Sequence, residues 1–156
     1  MRDYLPDELL DTVENLSDFA GMLVFDQWTC NTDRRQVVFA PSPGGARFRA
    51  IMIDNGFCFN ACEWNFPDSP RRGRYARPMV YRHVRGIDAF EPWLSRAETK
   101  VDFSQLYSLV ETIPPEWSAF DRDGLRRVVD RLDRRRARIR ELVERAAGYI
   151  STELMD

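Results

Sequence analysis

The sequence predicts an α+β domain that is mostly α-helical, and three observations carry that expectation. Apolar residues recur at helical spacing in several separate segments. Only two short segments read as strands. Those two flank a single turn, Pro41-Ser42-Pro43-Gly44-Gly45, so the β-structure is expected to be one small hairpin. At 156 residues, 44% of them hydrophobic and 31% charged, residues 1–156 read as one domain with a real core.

The elements follow in order. Pro6 suits the first turn of a helix through Asp7 to Glu14. Ser17 has the character of an N-cap for a second helix, apolar at Phe19, Met22, Leu23, Phe25 and Trp28 and ending near Cys30-Asn31. Gln36 to Ala40 and Phe48 to Ile53 are the strands. Residues 55–78 are rich in Gly, Pro, Asn and aromatics, which predicts a long ordered loop of the kind that is often functional. Helix signals return at Val80 to Val84 and at Glu91 to Ala97, where Pro92 fits a first turn. Asp102 is the expected cap for a helix over Phe103 to Ile113, stopped by Pro114-Pro115. Asp121 or Asp123 then opens the longest helix, apolar at Leu125, Val128, Val129, Leu132, Ile139, Leu142, Val143 and Ala146. There is no internal repeat.

The charge inventory is unusual. Net charge is -2, yet the basic side chains are twenty-two arginines and a single lysine, Lys100. Arginine stays charged and grips carboxylate or phosphate through two parallel hydrogen bonds, whereas chemistry that needs a lysine has only Lys100 to use. Arg71, Arg72, Arg74, Arg77, Arg82 and Arg85 form a run with no acid between Ser69 and Gly86. Three readings stand beside one another: a surface segment pairing with acidic helices, a substrate or phosphate clamp, and a nucleic-acid contact. The arginines of the last helix alternate with acids, and the i,i+4 pairs Asp130–Arg134 and Glu141–Arg145 predict a solvated face. Nucleic acid is therefore not the expected partner. Trp28, Trp64, Trp93 and Trp117 are expected in the core or at its edge. Cys30, Cys58, Cys62 and His83 lack paired metal-knuckle spacing, and the cysteines are expected to act as small hydrophobes. No apolar run reaches the roughly 20 residues that span a bilayer, and the acidic start MRDYLPDELLDTVENL is unlike a secretory signal. The expected location is cytoplasmic, with no membrane partner.

Two aspartates carry the functional expectation. Asp33 lies in Asn31-Thr32-Asp33-Arg34 and Asp54 in Ile53-Asp54-Asn55-Gly56, at opposite ends of the hairpin. Each alone is ordinary turn chemistry. Phosphoryl transfer asks for an aspartate that orients the acceptor hydroxyl, then oxygen ligands that hold Mg²⁺ against the phosphates. The order helix, Asp33, Gln36, hairpin, Asp54 matches that layout. With the flanks Phe25-Asp26-Gln27-Trp28 and Ile53-Asp54-Asn55-Gly56-Phe57, it resembles the C-terminal lobe of HipA-like kinases. These are a bacterial branch of protein-kinase-like folds, related at the catalytic loop to phosphatidylinositol kinases. The resemblance spans roughly Ser17 to Phe66. Tyr81-Arg82-His83-Val84-Arg85-Gly86 and Phe90-Glu91-Pro92-Trp93-Leu94 are similar more loosely.

The resemblance implies a kinase-like C-lobe whose hairpin carries the catalytic and metal aspartates. Asp33 corresponds to the catalytic aspartate, Arg34 to a contact for ATP, and Asp54 to the Mg²⁺ ligand. The family's Asp-Arg-His becomes Asp33-Arg34-Arg35 here, and the position five after Asp33 is Val38 rather than asparagine. Shortening the loop by two residues puts Gln36 at that place, where its carbonyl suits a hard cation. No GxxxxGK occurs, and Lys100 lies after Asp54, so the lysine and phosphate-covering loop of an N-lobe are expected from elsewhere. The implied activity is transfer of the ATP γ-phosphate to a protein hydroxyl. The expected partners are a chain that supplies the N-lobe or a second copy. The alternatives are a non-catalytic interaction module on the same fold and, less favoured, an arginine-rich nucleic-acid-binding helical domain.

Overall fold

The computed structural model describes residues 2–119 and 121–155. It is an α+β fold, predominantly helical, with one two-stranded antiparallel hairpin. The strands, β1 (Gln36–Pro41) and β2 (Phe48–Ile53), pair from Gln36 opposite Ile53 to Pro41 opposite Phe48. The described residues also form five α-helices: α1 (Asp18–Thr29), α2 (Glu91–Thr99), α3 (Phe103–Thr112), α4 (Arg122–Arg136) and α5 (Ile139–Glu153). None of the described helices is long and apolar enough to cross a membrane.

α1 is the central strut. Phe19, Ala20, Leu23 and Val24 are buried along it, packed with Phe39 of the hairpin, Phe90 and Leu94 around α2, and Ile139, Val143, Ala146 and Ile150 of α5. The expected N-cap at Ser17 does not form. Ser17 is itself helical in backbone, and the first turn is closed by the carbonyls of Asn15 and Leu16. The Asn15 side chain bonds Asp18 Oδ2 and the Ala50 carbonyl at 2.9 Å, tying the start of α1 to β2. Asp102 and Asp121 do cap α3 and α4, as their positions predict.

The expected first helix is a short 3₁₀ helix over Asp7–Thr12. Val13 turns extended and bridges Phe48, while Arg2 bridges Phe39. Pairing with the hairpin on both sides leaves no length for α-helical turns. The segment at Val80 to Val84 is likewise a 3₁₀ turn, Pro78–Tyr81.

The largest departure is the last helix, which is two. α4 stops at Arg136, and Arg138 (φ -112°, ψ 9°) restarts the chain as α5. The apolar periodicity runs through this joint because each half serves a different core. Val128 and Leu132 of α4 pack with Cys30 and Phe66 in a second cluster edged by Trp28, Phe59, Trp64 and Phe103, while α5 packs on the main core. The loop between the two clusters is held in costly backbone: Phe59, Asn60, Ala61, Trp64 and Phe66 all have positive φ. Trp117, expected in packing, is instead 79% exposed.

The α4 arginine face is not wholly solvated either. Arg135 is buried and donates to the carbonyls of Gln27 (2.7 Å), Trp28 (3.1 Å) and Phe66 (3.2 Å), and to Asp68 (2.9 Å). It thereby satisfies the carbonyls at the C-terminal end of α1, where a cation is favoured. Asp68 also takes Arg138 at 2.9 Å. Of the two helical pairs expected, Glu141–Arg145 forms at 3.7 Å, while the Asp130 carboxylate accepts from Tyr107 instead.

Partial burial works to raise the Asp68 carboxyl, but hydrogen bonds from Arg138 and Arg135 outweigh it and hold the group below its ordinary range. Its stabilisation is complete above the unfolded value of about 3.9 and is lost as pH falls through the lower folded one. Asp68→Asn is expected to lower the urea midpoint at pH 7 and to show a smaller further loss on acidification to pH ~3 than wild type. Parallel pH profiles for the two proteins would remove Asp68 as the tie at this joint.

Candidate functional site

The site begins with a polar cluster inside the protein. Asp26, on the last turn of α1, is 1% exposed and Arg35, just before β1, is 3% exposed. Asp26 accepts from both Nε (2.9 Å) and Nη2 of Arg35, and from Asn31 Nδ2 at 3.0 Å. The other arm of Arg35 donates to the Ile53 and Asp54 carbonyls, each at 2.9 Å, and to Asn55 Oδ1 at 3.0 Å. Burial pushes the Asp26 carboxyl up from its ordinary range, against the pull of Arg35 and Asn31. α1 ends here because Cys30 turns left-handed (φ 54°).

The same cluster pulls in the basic loop. Gln27 Nε2 donates to the Arg72 carbonyl at 2.9 Å, the Gly73 N–H to the Asp33 carbonyl at 2.9 Å, and the Arg35 N–H to the Arg74 carbonyl at 3.0 Å. Arg35 and Tyr75 form a parallel bridge. Gly73 is required at this crossing. Its φ is +69°, and a Cβ there would stand 2.8 Å from Asp26 Cβ and 2.9 Å from the Asn31 carbonyl oxygen.

Pairing residues 33–35 with 73–75 creates a cleft of about 730 Å³. Asp33 and Arg34 line it together with Arg71, Arg72, Arg74 and Glu153. Asp33 Oδ1 accepts the Arg34 N–H at 2.7 Å, and the Asp33 N–H donates to Asn31 Oδ1 at 3.1 Å. Among the described residues no hydrogen bond reaches Asp33 Oδ2. Arg74 holds Glu153 through both guanidinium arms, and Arg71 lies 4.6 Å over the Tyr149 ring.

Asp54 and Gln36 meet elsewhere, at the end of the hairpin. Asp54 is left-handed (φ 63°), with Oδ1 accepting the Gly56 N–H and Oδ2 accepting Gln36 Nε2, both at 2.9 Å. Neither residue lines the arginine cleft. Arg35 connects the two places, its N–H on the carbonyl of Arg74 and its guanidinium on the Asp54 carbonyl. Among the described residues no three His, Cys, Asp or Glu side chains group as metal ligands. The Cys30 thiol donates to the Pro67 carbonyl at 3.1 Å, and Cys58 contacts Thr29 at 3.4 Å; burial raises both thiols. Cys62 is exposed, and His83 lies by Leu16 and Trp93 in an apolar pocket.

Sequence reasoning passed over Asp26, Arg35, Gly73 and Glu153. The available signal was an aspartate inside an otherwise apolar helix, with an arginine where the resemblance expects histidine. No protein-family model, curated protein or solved structure matches the chain.

Removing one partner of the buried pair leaves the other charged and uncompensated. Asp26→Ala is expected to cost about 3–5 kcal/mol of unfolding free energy. Asp26→Leu combined with Arg35→Met should lose less than the sum of the single changes in a double-mutant cycle read by urea denaturation. Additive losses would mean that the two side chains act independently.

Proposed function

We propose that this chain is a kinase-like C-lobe of the HipA-like type, contributing to ATP-dependent phosphoryl transfer onto a protein hydroxyl. The observation that carries the reading is the company of Asp33. Asp33, whose Oδ2 takes no hydrogen bond among the described residues, lines a cleft with Arg34, Arg71, Arg72 and Arg74, where negative charge that develops on phosphoryl oxygens would be met by guanidinium groups. Asp33 Oδ2 accepts the acceptor hydroxyl's proton or orients it, while the Arg34 N–H fixes the carboxylate through Oδ1. Arg34 contacts a phosphate of the nucleotide.

The donor set at the hairpin end fits Mg²⁺. Asp54 would give its carboxylate, and Gln36, whose amide N–H now donates to Asp54 Oδ2, would turn its amide over to give the carbonyl, both hard oxygen ligands of the kind this ion takes alongside water and phosphates. Bound Mg²⁺ supplies neutralisation of phosphate charge. Arg35, its charge paired with Asp26, sets the hairpin end against the Asp33 loop. The lobe that covers the phosphates comes, in this reading, from a partner chain.

A second reading, a non-catalytic interaction module, is favoured by one feature. An apolar groove of about 290 Å³ runs between α1 and α2, lined by Phe25, Trp28 and Trp93, with Trp93 lying directly over Gly21.

Calorimetric titration of Mg-ATP separates the two. The kinase reading expects binding that falls at least ~tenfold in Asp54→Ala, a loss of 1.4 kcal/mol or more. With a covering lobe present, Asp33→Asn should cut turnover by about 10²–10⁴ while Mg-ATP still binds. Equal Mg-ATP affinity in wild type and Asp54→Ala would leave the interaction module.

A further inference from the structure

The arginines of this protein include buried ones, surface ones paired with carboxylates, and exposed ones with no such partner among the described residues. Within the basic run, Arg77 pairs with Asp7 and Arg82 with Asp11, so these two are structural ties to the N-terminal segment. Arg34, Arg71 and Arg72, all exposed, have no carboxylate partner among the described residues, and all three converge on the cleft. Other arginines, Arg85 of the same run among them, also lack a carboxylate partner among the described residues, but these three share one cleft of about 730 Å³. Their backbone is not loose. The Arg72 carbonyl is held by the buried Gln27 amide, and the next residue, Gly73, is bonded to the Asp33 carbonyl. The side chains therefore project from a fixed base, which reduces the ordering that a ligand must impose.

The fourth guanidinium, Arg74, is occupied, and its occupant is instructive. Glu153 reaches it from the last turn of α5, with both carboxylate oxygens on both arms of the fork. That is the geometry a phosphate would adopt on the same fork. The Glu153 side chain is 40% exposed, so solvent screens the pair and the carboxylate can exchange. One turn earlier, Tyr149 lies under Arg71, so the end of α5 borders the cleft through two contacts.

We propose that the arginine cleft binds a phosphate monoester dianion, and that Glu153 is a resident carboxylate which the phosphate displaces from Arg74. Once Glu153 leaves, four guanidinium groups face a single cleft carboxylate, Asp33, so a dianion is neutralised without a metal. The cleft, at about 730 Å³, is far larger than a bare phosphate needs and admits the esterified group as well. The site stands on the arginines alone. It requires neither Mg²⁺ nor Asp54, and it holds whether or not the chain transfers phosphoryl groups.

The test is calorimetry on the full chain in EDTA, titrating phenyl phosphate and a short phosphoserine peptide, with the unphosphorylated peptide as control. Wild type is expected to bind both phosphorylated probes, more weakly as salt is raised. Arg72→Ala should weaken binding at least ~tenfold. Glu153→Gln should strengthen it several-fold by removing the competing charge, and Arg85→Ala, at an exposed arginine outside the cleft, should leave it nearly unchanged. Thermal melts of each variant confirm that the fold persists. Tighter binding of the peptide than of phenyl phosphate assigns a phosphorylated protein as ligand, and equal binding assigns small phosphate esters; either supports the site. Failure of both wild type and Glu153→Gln to bind, indifference to Arg72→Ala, or weaker binding in Glu153→Gln overturns the proposal. An equal loss in Arg85→Ala would mean unspecific attraction to surface arginines and overturns it too.

Discussion

The buried Asp26–Arg35 pair decides where separate parts of the chain meet. Two charges taken out of water are tolerated only when each is hydrogen-bonded to capacity. Arg35 can reach that state only if the end of α1, the end of the hairpin and its own loop converge on it, and they do: Asp26, Asn55 and the carbonyls of residues 53 and 54 all accept from it. The basic loop joins through Gly73, the residue that fits against Asp26 without a clash. Apolar packing would hold these segments close. The ion pair makes their register specific, because a shifted register would leave a buried guanidinium or carboxylate unpaired.

Arginine plays three physical parts in this molecule, separated by burial. Arg35 and Arg135 are internal, and each donates to backbone carbonyls of other segments. Arg77, Arg82, Arg126 and Arg140 are surface ties, useful for orienting elements but individually worth little in water. Arg34, Arg71 and Arg72 are neither. Leaving them unpaired on a fixed backbone gives the cleft its positive field, and that field is what makes phosphate the chemistry to test there.

The joint between α4 and α5 shows the same economy. A continuous helix would carry Val128 and Ile139 onto one surface, yet they belong to two clusters. Breaking the helix at Arg138 lets α4 close over Phe66 and Trp64 while α5 lies on the main core. Asp68, held by Arg135 and Arg138, fixes the angle. This delivers the last turn of α5, with Tyr149 and Glu153, to the rim of the cleft. The position of Glu153 is thus a consequence of how two small cores are filled.

The sequence by itself determined what local rules govern. The hairpin, its turn, the caps at Asp102 and Asp121, the apolar stripe of α1 and the placement of both aspartates at strand ends follow from periodicity and turn chemistry within a few residues. So did the presence of an arginine run with no acids inside it. Only the tertiary structure decided which of those arginines are neutralised, since the partners Asp7, Asp11 and Glu153 lie about seventy residues or more away in sequence. It alone set the first segment as 3₁₀, because the competing bridges to Phe39 and Phe48 are not visible along the chain. It also split one apolar repeat into two helices, as a repeat shows that a face is buried and is silent on which core buries it. Asp26 and Arg35 mark the boundary: each is legible as a residue, and their meaning comes from burial and from each other.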